Sequence, residues 1–127
     1  MNPPELARWS SQFPNNRIEK EVYYLNGLLH RSNGPAIIWY DDNSNKENEN
    51  WFYYDEIHRS DGPAIIYYFK NGSIEDETWY KSNMLHREGG PALIRYDKNG
   101  NIVEEKYYFN NIKIVDEFQI EVLKSLK

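Results

Sequence analysis

Short apolar–polar alternations, each bounded by turn-forming residues, fill most of the chain, and no apolar run reaches the ~20 residues of a membrane-spanning helix. Three of these runs are nearly the same: Ala-Ile-Ile-Trp-Tyr at 36–40, Ala-Ile-Ile-Tyr-Tyr at 64–68 and Ala-Leu-Ile-Arg-Tyr at 92–96. Alternate residues of a strand share a face. The constant positions Ala36, Ile38 and Tyr40, with their counterparts, therefore form one face. The varying positions Ile37, Trp39, Ile65, Tyr67, Leu93 and Arg95 form the other. Because stacked units must bury the same surface against each other, the constant face is the packing face. The varying face is then the candidate partner surface.

The spacing between these strands is 28 residues, and it organises the chain. His-Arg recurs in HRSNGPAII (30–38), HRSDGPAII (58–66) and HREGGPALI (86–94). Tyr23, Trp51, Trp79 and Tyr107 fall in one column, and Glu21, Glu49, Glu77 and Glu105 in another. Asn26-Gly27, Tyr54-Asp55, Ser82-Asn83 and Asn110-Asn111 stand where a two-residue hairpin turn needs positive φ. Asn71-Gly72 and Asn99-Gly100 mark a second turn, which the first unit replaces with the polar stretch from Asp42 to Asn45, predicting a longer or looser loop there. Gly-Pro at 34–35, 62–63 and 90–91 breaks the chain at corners. The units run over 23–50, 51–78 and 79–106, with half-units on either side. The segment 3–13 is predicted as a short helix with Pro3 or Pro4 in its first turn. Residues 116–127 are predicted as a second helix, with Asp116 and Gln119 at capping-box spacing and Val115, Phe118, Val122 and Leu126 on the face that covers the last hairpin around Tyr108 and Ile112.

The string His-Arg-x-x-Gly-Pro-Ala-Ile-Ile-x-Tyr, set between paired aromatics and Asn-Gly turns, resembles the variant MORN repeat of hypothetical proteins from giant DNA viruses and some bacteria. The likeness covers residues 18–114. It implies successive β-hairpins building an elongated, twisted antiparallel sheet, and a role as a scaffold for protein contacts or dimerisation. The expected fold is all-β: a single repeat domain over 1–127, made of an N-terminal cap (1–17), MORN-like β repeats (18–114) and a C-terminal capping helix (115–127).

Composition narrows the function further. Twenty aromatic residues, 16% of 127, argue against disorder. The absence of cysteine removes disulfides, thiolate metal sites and cysteine nucleophiles. With no basic, apolar leader at its N-terminus, the chain is expected in the cytoplasm, that of the host if it is viral. Fifteen basic against twenty acidic residues, a net charge of -5, disfavour nucleic acid and anionic membrane surfaces.

The repeated side chains invite chemistry of their own. A two-residue turn sets Tyr23, Trp51 and Trp79 opposite His30, His58 and His86, with Glu21, Glu49 and Glu77 alongside. This predicts a structural rung in which each carboxylate accepts a proton from an imidazole. Arg31, Arg59 and Arg87 are predicted on the opposite face, toward Tyr24, Phe52 and Tyr80, stacking on rings or reaching corner carbonyls. Adjacent units lie about 10 Å apart, too far for their histidines to share a zinc ion. The same groups recur in every unit, as packing demands and a single active site does not, and no phosphate loop, zinc-protease or nucleophile-elbow motif occurs. The sequence therefore predicts no enzyme, cofactor or metal. It predicts a binding or scaffold module whose partner, another protein or a second copy, meets Ile37, Trp39, Ile65, Tyr67 and Arg95. The alternatives are a small effector or inhibitor that occludes a host protein, and a structural virion component.

Overall fold

A computed structural model describes residues 6–126 and shows a meandering antiparallel sheet ending in one short helix. Two kinds of long strand alternate. Those bearing the glutamate column are β2 (Ile18–Leu25), β5 (Lys46–Asn50), β9 (Ile74–Thr78) and β13 (Ile102–Phe109). Between them run β4 (Ile37–Tyr40), β8 (Ile65–Tyr68) and β12 (Leu93–Tyr96), the Ala-Ile-Ile-x-Tyr segments, and β1 (Leu6–Gln12) borders β2. The sheet order is β1-β2-β4-β5-β8-β9-β12-β13, with the last strand, β14 (Ile112–Ile114), paired to the far half of β13.

Short hairpins interrupt the run of long strands. β3 (Leu28–Leu29) returns on β2, β6 (Phe52–Tyr53) pairs with β7 (Glu56–Ile57), and β10 (Tyr80–Lys81) pairs with β11 (Met84–Leu85). Their two-residue turns have both central residues at positive φ, from Asn26 (52°) and Gly27 (79°) to Asn110 (46°) and Asn111 (68°). That conformation matches the right-handed twist of the flanking strands. Tyr54 adopts it too, at φ 46°, although an aromatic gains nothing from it locally.

The N-terminal prediction is corrected. Residues 6–12 are a strand, and the Pro3 and Pro4 start of the expected helix lies outside the described residues. β1 stands one repeat upstream of β4: Ser10 pairs with Glu21 as Ile38 pairs with Glu49, and a register shift follows in both, at Ser11/Gln12 and Trp39/Tyr40. Sheet pairing overrides the weak helical preference of Leu-Ala-Arg. The first-unit loop is not looser either. Asp41 N–H donates to Asn45 O at 2.8 Å, as Phe69 does to Ser73 and Asp97 to Asn101, and Ser44 (φ 67°) takes the place of Gly72 and Gly100.

The core is centred on the constant face: Ala36, Ala64 and Ala92 are fully buried, and Ile38, Ile66 and Ile94 nearly so. The helix α1 (Glu117–Ser125) begins at Asp116, whose carboxylate accepts from Gln119 N–H at 3.0 Å. Its buried residue is Leu123, not the predicted face. Phe118, Val122 and Leu126 are 76%, 47% and 38% exposed, and Val115 before the helix is 73% exposed. The helix is instead held at the third corner, where Gly89 N–H donates to Leu123 O at 2.9 Å.

Candidate interaction surface

The pairing register carries the varying residues straight across the sheet. One row runs Ser11, Lys20, Trp39, Asn48, Tyr67, Asp76, Arg95, Glu104, and the next runs Trp9, Val22, Ile37, Asn50, Ile65, Thr78, Leu93, Lys106. Ile37, Trp39, Ile65, Tyr67 and Arg95 thus share one face, as the alternation predicts. Tyr67 is 46% exposed, while Trp39, Ile37 and Ile65 are half-buried. Lys20 Nζ sits 4.5 Å from the Trp39 ring centroid. Arg95 is tied on both sides, to Asp76 and to Glu104 at 3.2 Å each, and Lys106 extends this network to Glu104 at 3.0 Å. The surface therefore has an aromatic centre between Trp39 and Tyr67 and an ionic flank around Arg95. Trp9, 52% exposed, also belongs to this face, although its segment reads as a helix start in the sequence. Its signal was the 28-residue offset to Ile37.

The opposite face shows why the repeat columns exist, and it differs from the predicted rung. The glutamates bond tyrosines, not histidines. Tyr40 hydroxyl donates to Glu21 at 2.9 Å, Tyr68 to Glu49 at 2.8 Å and Tyr96 to Glu77 at 2.6 Å, each across 19 residues. Burial, together with the accepting carboxylate, pushes Tyr40 and Tyr96 up to about 12, and Tyr68 upward too. Burial alone would raise the Glu21 carboxyl, yet hydrogen bonds from Tyr40 and Arg8 hold it below its ordinary value.

Each histidine reaches the following unit instead. His30, His58 and His86 accept through Nδ1 from the backbone N–H of Tyr54, Ser82 and Asn110 at 3.1–3.2 Å. An accepting Nδ1 places the proton of the neutral ring on Nε2. Beside this bond, the turn residue clasps the preceding hairpin twice. Asp55, Asn83 and Asn111 accept from Leu29, Ile57 and Leu85 N–H through Oδ1 at 2.6–2.8 Å, and their own N–H groups donate to the same residues' carbonyls at 2.8–2.9 Å.

The arginines are also corrected. Arg31, Arg59 and Arg87 stack 3.8–4.0 Å from the centroids of Tyr23, Trp51 and Trp79, not over Tyr24, Phe52 and Tyr80. The short strands end before the His-Arg pair, so strand alternation no longer dictates where the arginine points. The predicted corner bonds do form: Nη1 donates to Pro35, Pro63 and Pro91 carbonyls at 3.0–3.3 Å. Gly34, Gly62 and Gly90 make room for them, since a Cβ would meet the guanidinium carbon at 2.6–2.9 Å.

Neighbouring repeats spread the three histidines along the stack, and no group of three or more His, Asp or Glu that could hold a metal occurs among the described residues. No helix among them is long and apolar enough to cross a membrane. No family model, curated protein or solved structure matches the chain.

Proposed function

We propose that the protein is a non-enzymatic interaction module, a MORN-like repeat scaffold that presents the varying sheet face to a protein partner. The observation that carries this reading is the single row in which Trp39 and Tyr67 stand across successive strands with Arg95 beyond them. Tyrosine and tryptophan give large contact area at little entropic cost, and the flanking ion pairs form the polar border typical of an interface. On the other face the glutamates bond tyrosines and the arginines stack on Tyr23, Trp51 and Trp79, an arrangement repeated in each unit that supports a structural role for them.

The test uses a Trp39→Ala, Tyr67→Ala double variant. Both side chains are at least partly exposed, so circular dichroism and Tm should stay close to wild type. Wild type and variant are then immobilised side by side, and bound proteins compared. A protein held by wild type and lost from the variant supports the reading. Identical capture by the two overturns it.

A further inference from the structure

Four asparagines precede a glycine: Asn26, Asn33, Asn71 and Asn99. This dipeptide carries a reaction of its own, because no Cβ shields the glycine nitrogen from the neighbouring side-chain amide. The nitrogen attacks Cγ, its proton leaves with Nδ2 as ammonia, and a cyclic imide closes. Water then reopens the ring. Addition at Cγ gives aspartate, and addition at the backbone carbonyl gives isoaspartate, in which the chain runs through Cγ.

The fold restrains all but one of these sites. Gly72 N–H donates to Phe69 O at 3.0 Å and Gly100 N–H to Asp97 O at 3.1 Å, so the nitrogens that would attack Asn71 and Asn99 are held in turn bonds. The Asn71 amide is also pinned, donating through Nδ2 to Lys98 O at 3.2 Å and accepting at Oδ1 from Ser73 N–H at 2.9 Å. Asn26 stands at φ 52° in a two-residue turn, and ring closure needs the next nitrogen eclipsed with Cβ, far from that left-handed backbone. Asn33 is exposed and is not left-handed, and neither its amide nor Gly34 N–H has a hydrogen-bond partner among the described residues.

We propose that Asn33 deamidates spontaneously in the folded protein, and that the product aspartate gives the first corner the charge pattern of the second. The repeat itself shows how the product is seated. The second unit reads HRSDGPAII where the first reads HRSNGPAII, and its Asp61 accepts from Arg59 Nε at 3.1 Å. Arg31 has the same stack, on Tyr23, and the same bond to its corner proline, Pro35, but no carboxylate partner among the described residues. Aspartate in the place of Asn33 supplies that partner and adds one negative charge. Isoaspartate does not suit the corner, because its extra backbone carbon displaces Gly34, which is buried with the Arg31 guanidinium carbon 2.8 Å from where a Cβ would lie.

The test follows the four sites by peptide mapping while folded wild type is incubated at mildly alkaline pH, beside a sample unfolded in urea. In urea they should all convert at comparable rates. In the folded chain Asn33 should convert about tenfold faster than Asn71 or Asn99, the factor that one retained hydrogen bond supplies. A protease that cleaves before aspartate but not isoaspartate sorts the products, and chains carrying isoaspartate should melt below those carrying aspartate. Asn33→Asp, the product made directly, should raise the folding equilibrium constant about twofold to fivefold at low salt. That gain should vanish at high salt and in an Arg31→Ala background. Asn33→Gln, whose longer side chain closes the ring poorly, should stay intact. The proposal is overturned if Asn33 stays unmodified in the folded chain, if the four sites convert alike with and without urea, or if Asn33→Asp destabilises the fold.

Discussion

Gly62→Ala tests the account of the corner. Gly62 does not occupy a left-handed conformation, so alanine suits its backbone and the steric conflict comes from one place: a Cβ would lie 2.6 Å from the Arg59 guanidinium carbon. That guanidinium is held 3.8 Å from the Trp51 ring centroid and donates to Pro63 O at 3.1 Å, with only 20% of the side chain exposed. Displacing it forfeits ~1 kcal/mol of cation–π attraction and ~1.5 kcal/mol of charged hydrogen bond. Alanine returns ~0.5 kcal/mol by restricting the unfolded chain. The net cost is about 2 kcal/mol, or about 8 °C in Tm for a chain of this size. The decisive assay is a thermal or denaturant double-mutant cycle with Arg59→Ala. Once the guanidinium is gone, Gly62→Ala should change sign and stabilise by ~0.5 kcal/mol. Equal destabilisation in both backgrounds would refute the reasoning and place the conflict elsewhere.

Other consequences follow from the glutamate columns. Tyr68→Phe should cost about 2 kcal/mol in urea unfolding, because Glu49 is only 7% exposed and keeps only Lys46. Tyr40→Phe should cost less, since Glu21 retains Arg8 and Tyr23 at 3.2 Å. Trp51 and Trp79 leave their buried Nε1–H groups without acceptors, whereas Tyr107 in the same column donates to Glu105 at 3.1 Å. Trp51→Tyr should therefore be about 1 kcal/mol more stable than Trp51→Phe. Alkali should unfold the protein steeply. The folded values of Tyr40 and Tyr96 lie above the ordinary 10.0, so their contribution is complete below pH 10 and declines as pH rises toward about 12. Phenolate absorbance should show these tyrosines titrating together with the loss of circular dichroism. Independent titration before unfolding would contradict the shifts.

Much of this was legible because strand alternation and turn chemistry are local. The constant and varying faces, the two-residue turns and the corner prolines follow from residues within five positions of one another. The Glu–Tyr bonds were not legible, since the tyrosine lies 19 residues on and two positions beyond the residue paired with the glutamate, as Tyr40 lies beyond Ile38 opposite Glu21. The arginine direction failed for a related reason: Arg31 has left the strand, so alternation says nothing about it. β1 was misread because prolines and Leu-Ala-Arg suggest a helix start, although Asn16, at φ 68°, already stood 28 residues before Ser44 in the turn column. The C-terminal helix was legible but its docking side was not: the predicted stripe stays exposed and Leu123, outside it, is buried, where Lys124 reaches toward Tyr107 and Gly89 N–H donates to the Leu123 carbonyl.

The clasps also dictate how the molecule would yield to a mechanical load. Every clasp joins a unit only to its immediate neighbour, through bonds spanning 24–26 residues, so traction on the two termini should strip units singly from an end and leave the remainder intact. Each release would free 28 residues, roughly 95 Å of extended chain. A single-molecule force trace should then show evenly spaced small steps, making the repeat period a length that can be read directly with a pair of tweezers.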